Sequence, residues 1–159
     1  MPLLNNLISY WKLDESSGNA VDEVGGNTLT NNGVVTYGVE KINNGARFVT
    51  ASAQFLSRAD NAALSTGDID FTIACWAKLT DKNVSYAIIT KKRNSAPDGD
   101  YDITYFVTDD RFTFAISNGV DVAQRINANN LGSPSAGTLY FIVAWHDATA
   151  DTTNIQVNN

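Results

Sequence analysis

Residues 101–117, YDITYFVTDDRFTFAIS, decide the fold class of this chain. Two runs of residues that favour strands flank Asp109 and Asp110, and aspartate is a residue type that favours turns. In the second run aromatic and aliphatic side chains alternate with small or polar ones, as in a strand with one buried and one wet face. The pattern predicts an antiparallel hairpin whose strands are residues 101–108 and 111–117.

The rest of the chain repeats short segments of this kind between Gly, Asn, Asp and Ser, without helical spacing of apolar residues. Residues 71–79 alternate, which places Trp76 opposite the apolar face, and residues 139–145 are apolar on both faces, as expected of a central strand. The remaining predicted strands are residues 7–13, 46–50, 54–58, 86–91, 120–126 and 153–157, with a turn at Asn118 and Gly119. We therefore predict an all-β antiparallel sandwich in a single domain of residues 1–159.

Composition argues against several classes of protein. A formal net charge of −6 and a pI near 4.5 lack the basic surface that nucleic acid or an anionic membrane requires, so we expect neither as a partner. Cys75 is the only cysteine and lies in an apolar run, which predicts a buried thiol and no intrachain disulfide. We expect a soluble protein, since the start lacks the pattern of a secretory signal and the longest apolar run is too short to span a bilayer.

Four motifs resemble, in order, elements of the laminin-G-like family of concanavalin A-like jelly-roll domains. They are LISYWKLDESSG (residues 7–18), DEVGGN (22–27), GARF (45–48) and FTIACWAK (71–78). The resemblance implies a jelly roll and a non-catalytic binding or adhesion module that recognises a glycan or a protein surface. Such a fold without a secretory signal favours a virion protein, such as a phage decoration or tail component, or an extracellular structural component.

The sequence departs from the family at its end. The resemblance implies several strands after residues 155–157, one of them beside the first strand, whereas this chain stops at Asn159 and looks truncated. The Trp-His-His element that usually opens the penultimate strand reads Leu-Tyr-Phe at residues 139–141. Missing strands would leave an open sheet edge, so we expect a second copy or another chain to complete it.

Asp22 and Asn27 are the candidate metal ligands. The resemblance implies a structural calcium ion between this turn and an aspartate of the later strands, so calcium is the only cofactor that the sequence suggests. The run DGDYD at residues 98–102 superficially resembles the start of an EF-hand loop, but Ile103 and Asp109 stand where that loop needs Gly and Glu. A solvated turn that enters a strand is the favoured interpretation of that run.

No catalytic residue is assigned, and we expect no enzymatic activity. Glycoside hydrolases of this fold need two facing carboxylates, and the resemblance implies a strand with closely spaced Glu and Asp, which the chain lacks. The only glutamates lie in the N-terminal loops, and the sole histidine, His146, has no nucleophile motif to serve. A hydrolase-like enzyme or remnant, and a purely structural assembly domain, remain the alternatives.

Exposed aromatic side chains are the candidate carbohydrate-binding residues, because an aromatic ring offers a sugar an apolar face beside polar neighbours. The candidates are Trp76, Tyr101, Tyr105 and Tyr140, all in predicted strands. The competing interpretation places each of these rings in the sandwich core.

Overall fold

The structure is a computed structural model that describes residues 6–92, 99–117 and 122–158. These residues form eleven strands, all paired antiparallel, and two single-turn 3-10 helices at Thr50–Ser52 and Ala62–Leu64. The described residues contain no α-helix, and neither helical turn is long and apolar enough to cross a membrane. The prediction of an antiparallel all-β fold is confirmed.

The chain divides into two compact units, Met1–Leu64 and Ser65–Asn159. The first unit contains two short ribbons: β1 (Thr30–Asn32) pairs with β4 (Phe55–Ser57), and β2 (Thr36–Val39) pairs with β3 (Asn44–Arg47). Asn31 connects the ribbons, because its amide side chain accepts a hydrogen bond from Val35 N (2.7 Å) and donates one to Val35 O (2.8 Å). The single-domain organisation stays a prediction.

The predicted strand at residues 7–13 is wrong. Trp11 forms one isolated bridge with Asp22, and the segment has no continuous ladder with another strand. The backbone of Gly25 instead packs tightly against it, since a Cβ atom at Gly25 would lie 2.0 Å from Ile8 O. Close loop contacts and side-chain hydrogen bonds therefore fix this segment.

The second unit contains two sheets. The three-stranded sheet has the order β11-β10-β5, and the four-stranded sheet is a meander in the order β6-β7-β8-β9. The strands are β5 (Phe71–Lys78), β6 (Tyr86–Lys92), β7 (Gly99–Phe106), β8 (Arg111–Ser117), β9 (Val122–Asn127), β10 (Leu139–Asp147) and β11 (Thr152–Val157). The predicted strand at residues 139–145 is thus central in its sheet, as its two apolar faces indicate.

One core lies between these two sheets. Burial alternates along β5 and β10, which confirms the faces predicted for residues 71–79 and places the side of β10 that carries Tyr140 and Ile142 in the core. Phe112 of β8 meets Tyr140 of β10 edge to face, with ring centroids 5.5 Å apart, so the side chains of the two sheets interdigitate. The fully buried apolar residues of this core include Ile103, Phe112, Phe114, Ile142 and Ala144. The second unit is therefore an antiparallel β-sandwich.

The predicted hairpin exists, but its turn is longer than predicted. Phe106 pairs with Arg111, so the connection comprises residues 107–110 rather than Asp109 and Asp110 alone. The face of β8 that was predicted to be wet is not wet at Thr113, which is fully buried and donates a hydrogen bond to Thr104 O at 3.2 Å. The predicted turn at residues 118–119 and the start of the strand predicted at 120–126 lie outside the described residues.

Candidate binding face

One side of the sheet β11-β10-β5 points away from the sandwich core, and we call it the outer face. On β10 the core side carries Tyr140, Ile142, Ala144 and His146, all buried, so the alternate residues belong to the outer face. The strand register extends this alternation to both neighbours. The outer face consists of Thr72, Ala74, Trp76 and Lys78 of β5, Leu139, Phe141, Val143, Trp145 and Asp147 of β10, and Thr152, Asn154 and Gln156 of β11.

The most prominent feature of the outer face is an aromatic pair. Trp76 and Phe141 are direct cross-strand partners, with ring centroids 5.0 Å apart and ring planes inclined by 43°. Trp76 is 43% exposed, although burial of a large aromatic side chain is energetically favourable. The pair therefore presents an apolar platform to solvent.

A second aromatic residue, Trp145, lies further along the same face of β10. It is directly opposite Thr72 on one side and Asn154 on the other. A shallow, open depression of about 270 Å³ begins at this point, lined by Asp70, Phe71, Thr72, Trp145, His146 and Asp147. An aromatic ring and hydrogen-bonding side chains thus line the same hollow.

Of the four aromatic residues predicted to bind carbohydrate, three do not present a ring on the outer face. Tyr105 (1% exposed) and Tyr140 (5% exposed) are core residues, which corrects the expectation that their rings are accessible. Tyr101 is partly buried on the same side of β7 as Tyr105 and packs against Phe71 at 5.5 Å. Trp76 alone of the four lies on the outer face.

The hydroxyl groups of the two buried tyrosines have hydrogen-bond partners at the edge of the core. Tyr105 donates a hydrogen bond to Asp110 Oδ1 (2.8 Å), and Tyr140 accepts one from Ser135 N (2.8 Å). A tyrosine can bury its ring while its hydroxyl reaches the polar rim. Phe141 and Trp145 were missed as candidates, although the alternation of residues 139–145 already placed them together on one face.

Asp22, a predicted calcium ligand, is a buried residue that binds backbone amides. Its Oδ1 accepts hydrogen bonds from Tyr10 N (2.8 Å) and Val24 N (3.0 Å), and its Oδ2 from Gly25 N (3.1 Å) and Asn27 N (2.8 Å). These donors fill the four lone-pair positions of the carboxylate. Burial raises the pKa of this carboxyl, but the four amides outweigh that effect and hold the pKa well below its usual range.

Asn27, the second predicted ligand, is fully buried at the centre of the same hydrogen-bond network. Its Oδ1 accepts from Arg58 Nη1 (2.5 Å) and Asn61 Nδ2 (2.9 Å), while its Nδ2 donates to Ser9 Oγ (2.6 Å). In residues 6–92, 99–117 and 122–158, no group of three or more His, Cys, Asp or Glu side chains is placed to hold a metal ion. Calcium binding at Asp22 and Asn27 stays a prediction, and it would require the release of several of these donors.

The weaker metal hypothesis concerned residues 98–102, of which Asp98 lies outside the described part of the chain. β7 begins at Gly99, so the two remaining carboxylates belong to an extended strand. Asp100 is buried and forms an ion pair with Lys91 (3.1 Å), and Asp102 accepts a hydrogen bond from the Thr104 hydroxyl (3.0 Å). Both carboxylates thus have contacts within the protein.

His146 links three segments at the end of β10. The ring is buried, with Nε2 3.2 Å from Asp68 Oδ1 and Nδ1 3.1 Å from Thr152 O. It therefore ties β10 to the start of β11 and to the segment that precedes β5. This position gives the histidine a structural role beside the depression.

A cluster around Asp110 connects three loops of the second unit. The Asp110 carboxylate receives hydrogen bonds from Ser133 Oγ, Lys82 Nζ and Tyr105 OH, which hold its pKa well below the usual range. Burial and the hydrogen bond to Asp110 raise the pKa of Tyr105 to about 12. The cluster joins the loop after β5, the β7–β8 loop and the loop before β10.

No protein-family model, curated protein sequence or solved structure matches this chain.

Proposed function

We propose that this chain is a non-catalytic binding module that recognises carbohydrate through the outer face. The observation that carries the proposal is the exposed platform of Trp76 and Phe141 on the surface of a sheet. A strand pair holds both rings, so little conformational entropy is lost when a ligand covers them. Such a rigid apolar surface suits the apolar face of a sugar ring.

The polar residues around the platform support a hydroxylated ligand. Thr72, Asn154 and Gln156 share the outer face, and their side chains offer both hydrogen-bond donors and acceptors. A ligand that is apolar on its face and hydroxylated at its edge would contact the aromatic platform with its face and these polar side chains with its hydroxyl groups. A sugar has this combination.

The positions of the glutamates support a non-catalytic role. Glu15 accepts a hydrogen bond from Val21 N (2.8 Å), Glu23 pairs with Lys12 (2.9 Å), and Glu40 pairs with Arg47 (3.4 Å). All three serve the first unit. No glutamate lies on the outer face, and its aspartate, Asp147 at the end of β10, accepts a hydrogen bond from Ala150 N (2.9 Å).

The proposed role is consistent with the laminin-G-like, jelly-roll family suggested by the motifs. On the same basis we propose a place in a virion or an extracellular structure. A structural calcium ion remains part of this proposal, at Asp22 and Asn27.

A glycan array followed by titration calorimetry tests the proposal. We expect the wild-type chain to bind at least one class of printed glycan, and Trp76→Ala to weaken binding about tenfold, because loss of an aromatic contact costs about 1.4 kcal/mol. The matched control is Phe55→Ala, which removes an aromatic side chain of similar exposure from the first unit. Equal binding by wild type and Trp76→Ala, or release of reducing sugar from the bound glycan, would contradict the proposal.

The first unit favours a second candidate function, self-assembly. Several of its large apolar side chains are strongly exposed, with Val39 reaching 80%. Exposed apolar surface of this kind often marks a protein interface, and a second copy of this chain would cover it. Light scattering across a range of concentrations tests this candidate: a mass that rises with concentration supports it, and a constant monomer mass contradicts it.

A further inference from the structure

We infer that the carbohydrate bound by the outer face is an extended, neutral oligosaccharide that occupies two aromatic subsites along β10. This inference rests on the proposed function and specifies its ligand. The first subsite is the platform of Trp76 and Phe141. The second is Trp145 with the depression beside it.

The spacing of the two subsites indicates a chain rather than a single sugar. Phe141 and Trp145 are four residues apart on one side of β10, which corresponds to about 14 Å along a strand. A monosaccharide cannot contact both rings at once. Between the two rings, Val143 is the direct partner of Ala74. These side chains are smaller than the aromatic rings, so the surface between the rings does not protrude beyond them. A linear ligand can therefore lie across both subsites.

The depression supplies acceptors for sugar hydroxyl groups. Asp70 Oδ1 accepts a hydrogen bond from Ala148 N (2.8 Å), and Asp147 Oδ1 accepts one from Ala150 N (2.9 Å). These bonds orient both carboxylates at the rim of the hollow, and each carboxylate retains further lone pairs for a ligand. Hydrogen bonds from hydroxyl groups to ionised carboxylates are among the stronger ones in proteins.

The charge around the depression selects a neutral ligand. Asp70 and Asp147 line it, and the exposed Asp68 lies next to it through His146. Among the residues of the outer face only Lys78 is basic. Its strand partner is Leu139, which lies at the end of β10 farthest from the depression. A carboxylated or sulfated sugar at Trp145 would meet like charges, which lowers its affinity.

Titration calorimetry with neutral oligosaccharides tests this inference. The probes are the cello-, malto-, xylo-, manno- and chito-oligosaccharide series, each from the monosaccharide to the hexasaccharide, together with oligogalacturonates as acidic counterparts. In the series that binds, we expect affinity to rise with chain length until both subsites are filled. Trp145→Ala should then weaken the longest members about tenfold and leave the shortest members that bind unchanged.

Two further variants keep the result interpretable. Trp145→Phe retains an aromatic ring and should recover most of the affinity for long chains, while Trp76→Ala should weaken short and long chains alike. Affinity independent of chain length, or tighter binding of oligogalacturonates, overturns the inference but leaves the proposed function intact if Trp76→Ala still weakens binding. If no series binds to the wild-type chain, the inference is overturned, and the proposed function is overturned with it if the glycan array also shows no binding. The length dependence of the wild type decides the question even if Trp145→Ala does not fold.

Discussion

At the scale of single residues, the Asp22 carboxylate supplies hydrogen bonds that a strand ladder would otherwise supply to the N-terminal loops. This carboxylate binds the amides of Tyr10, Val24, Gly25 and Asn27, so one side chain holds segments that no strand ladder connects. Buried amides must find an acceptor, and an ionised acceptor binds them more strongly than a neutral one. The conformation of the N-terminal loops therefore depends on this residue.

We expect Asp22→Asn to destabilise the protein by roughly 3 kcal/mol. The new side-chain NH2 group would face backbone N–H groups, which also donate, so buried donors on both sides would be left unpaired. The measurement is urea-induced unfolding followed by circular dichroism. Glu23→Gln is the matched control, since Glu23 is exposed and should contribute little. A change of similar size in both variants would refute the assigned role of Asp22.

Acid should destabilise the protein through Asp22 and Asp110. The pKa values of both carboxyls are lowered in the folded state, so each contributes stability that is fully present above the unfolded pKa of about 4. That contribution is lost progressively as the pH falls below this value. Unfolding free energies measured from pH 7 downward should therefore decline below about pH 4. Asp22→Asn should show a shallower decline than the wild type, and parallel curves would count against this account.

The sequence singled out Asp22 and Asn27 but could not say what they bind. A carboxylate in a glycine-rich turn can hold either a cation or backbone amides, and the two uses share one local pattern. The choice depends on Tyr10, Arg58 and Asn61, which reach this turn only through the folded chain. The family resemblance therefore pointed to this turn, and the folded chain supplies the backbone amides that the Asp22 carboxylate binds.

At the scale of elements, β10 has two apolar faces with different roles. Ile142 is fully buried against the four-stranded sheet, whereas its neighbour Val143 lies on the outer face between the two aromatic subsites. The same strand thus supplies both the core and the proposed binding surface. Mutations on its two sides should separate stability from binding.

We expect Ile142→Ala to lower the free energy of unfolding by about 3 kcal/mol, because it removes buried methyl groups and leaves a cavity. Val143→Ala should cost less than about 1 kcal/mol, since the residue is partly exposed. Thermal and urea unfolding measure both. If Val143→Ala proves the more damaging change, the assignment of inner and outer sides to β10 is wrong.

Strands with strong alternation were predictable, and segments held by side chains were not. Residues 71–79 alternate, so their strand and its faces were confirmed. Residues 139–145 are apolar on both sides, so their strand was confirmed but the sequence did not show which side is the core. Residues 7–13 show a similar apolar content, but their partners are loop groups such as the Asp22 carboxylate. Val107 and Thr108 favour strands by residue type, yet the Phe106–Arg111 pairing places them in the turn.

At the scale of the whole chain, the two units differ in how their strands associate. The first contains two-stranded ribbons of three or four residues, which alone are marginal in water. The second contains a sandwich with a continuous core. Strand alternation and turn residues predicted the all-β class, but neither a shift in composition nor a linker sequence marks the division at Leu64.

The pairing of β5 with β10 has a consequence for folding kinetics. All four strands of the meander lie between these two partners in the sequence, so β5 cannot meet β10 until a long segment has been looped out. Such closure costs entropy that local hairpins avoid, and we expect the β7–β8 hairpin to gain protection first in pulse-labelled hydrogen exchange during refolding. Earlier protection of β5 and β10 would contradict this order. Until that late step both of these apolar strands lack their ladder partner, so a folding chain exposes two strand edges for longest and would benefit from a chaperone.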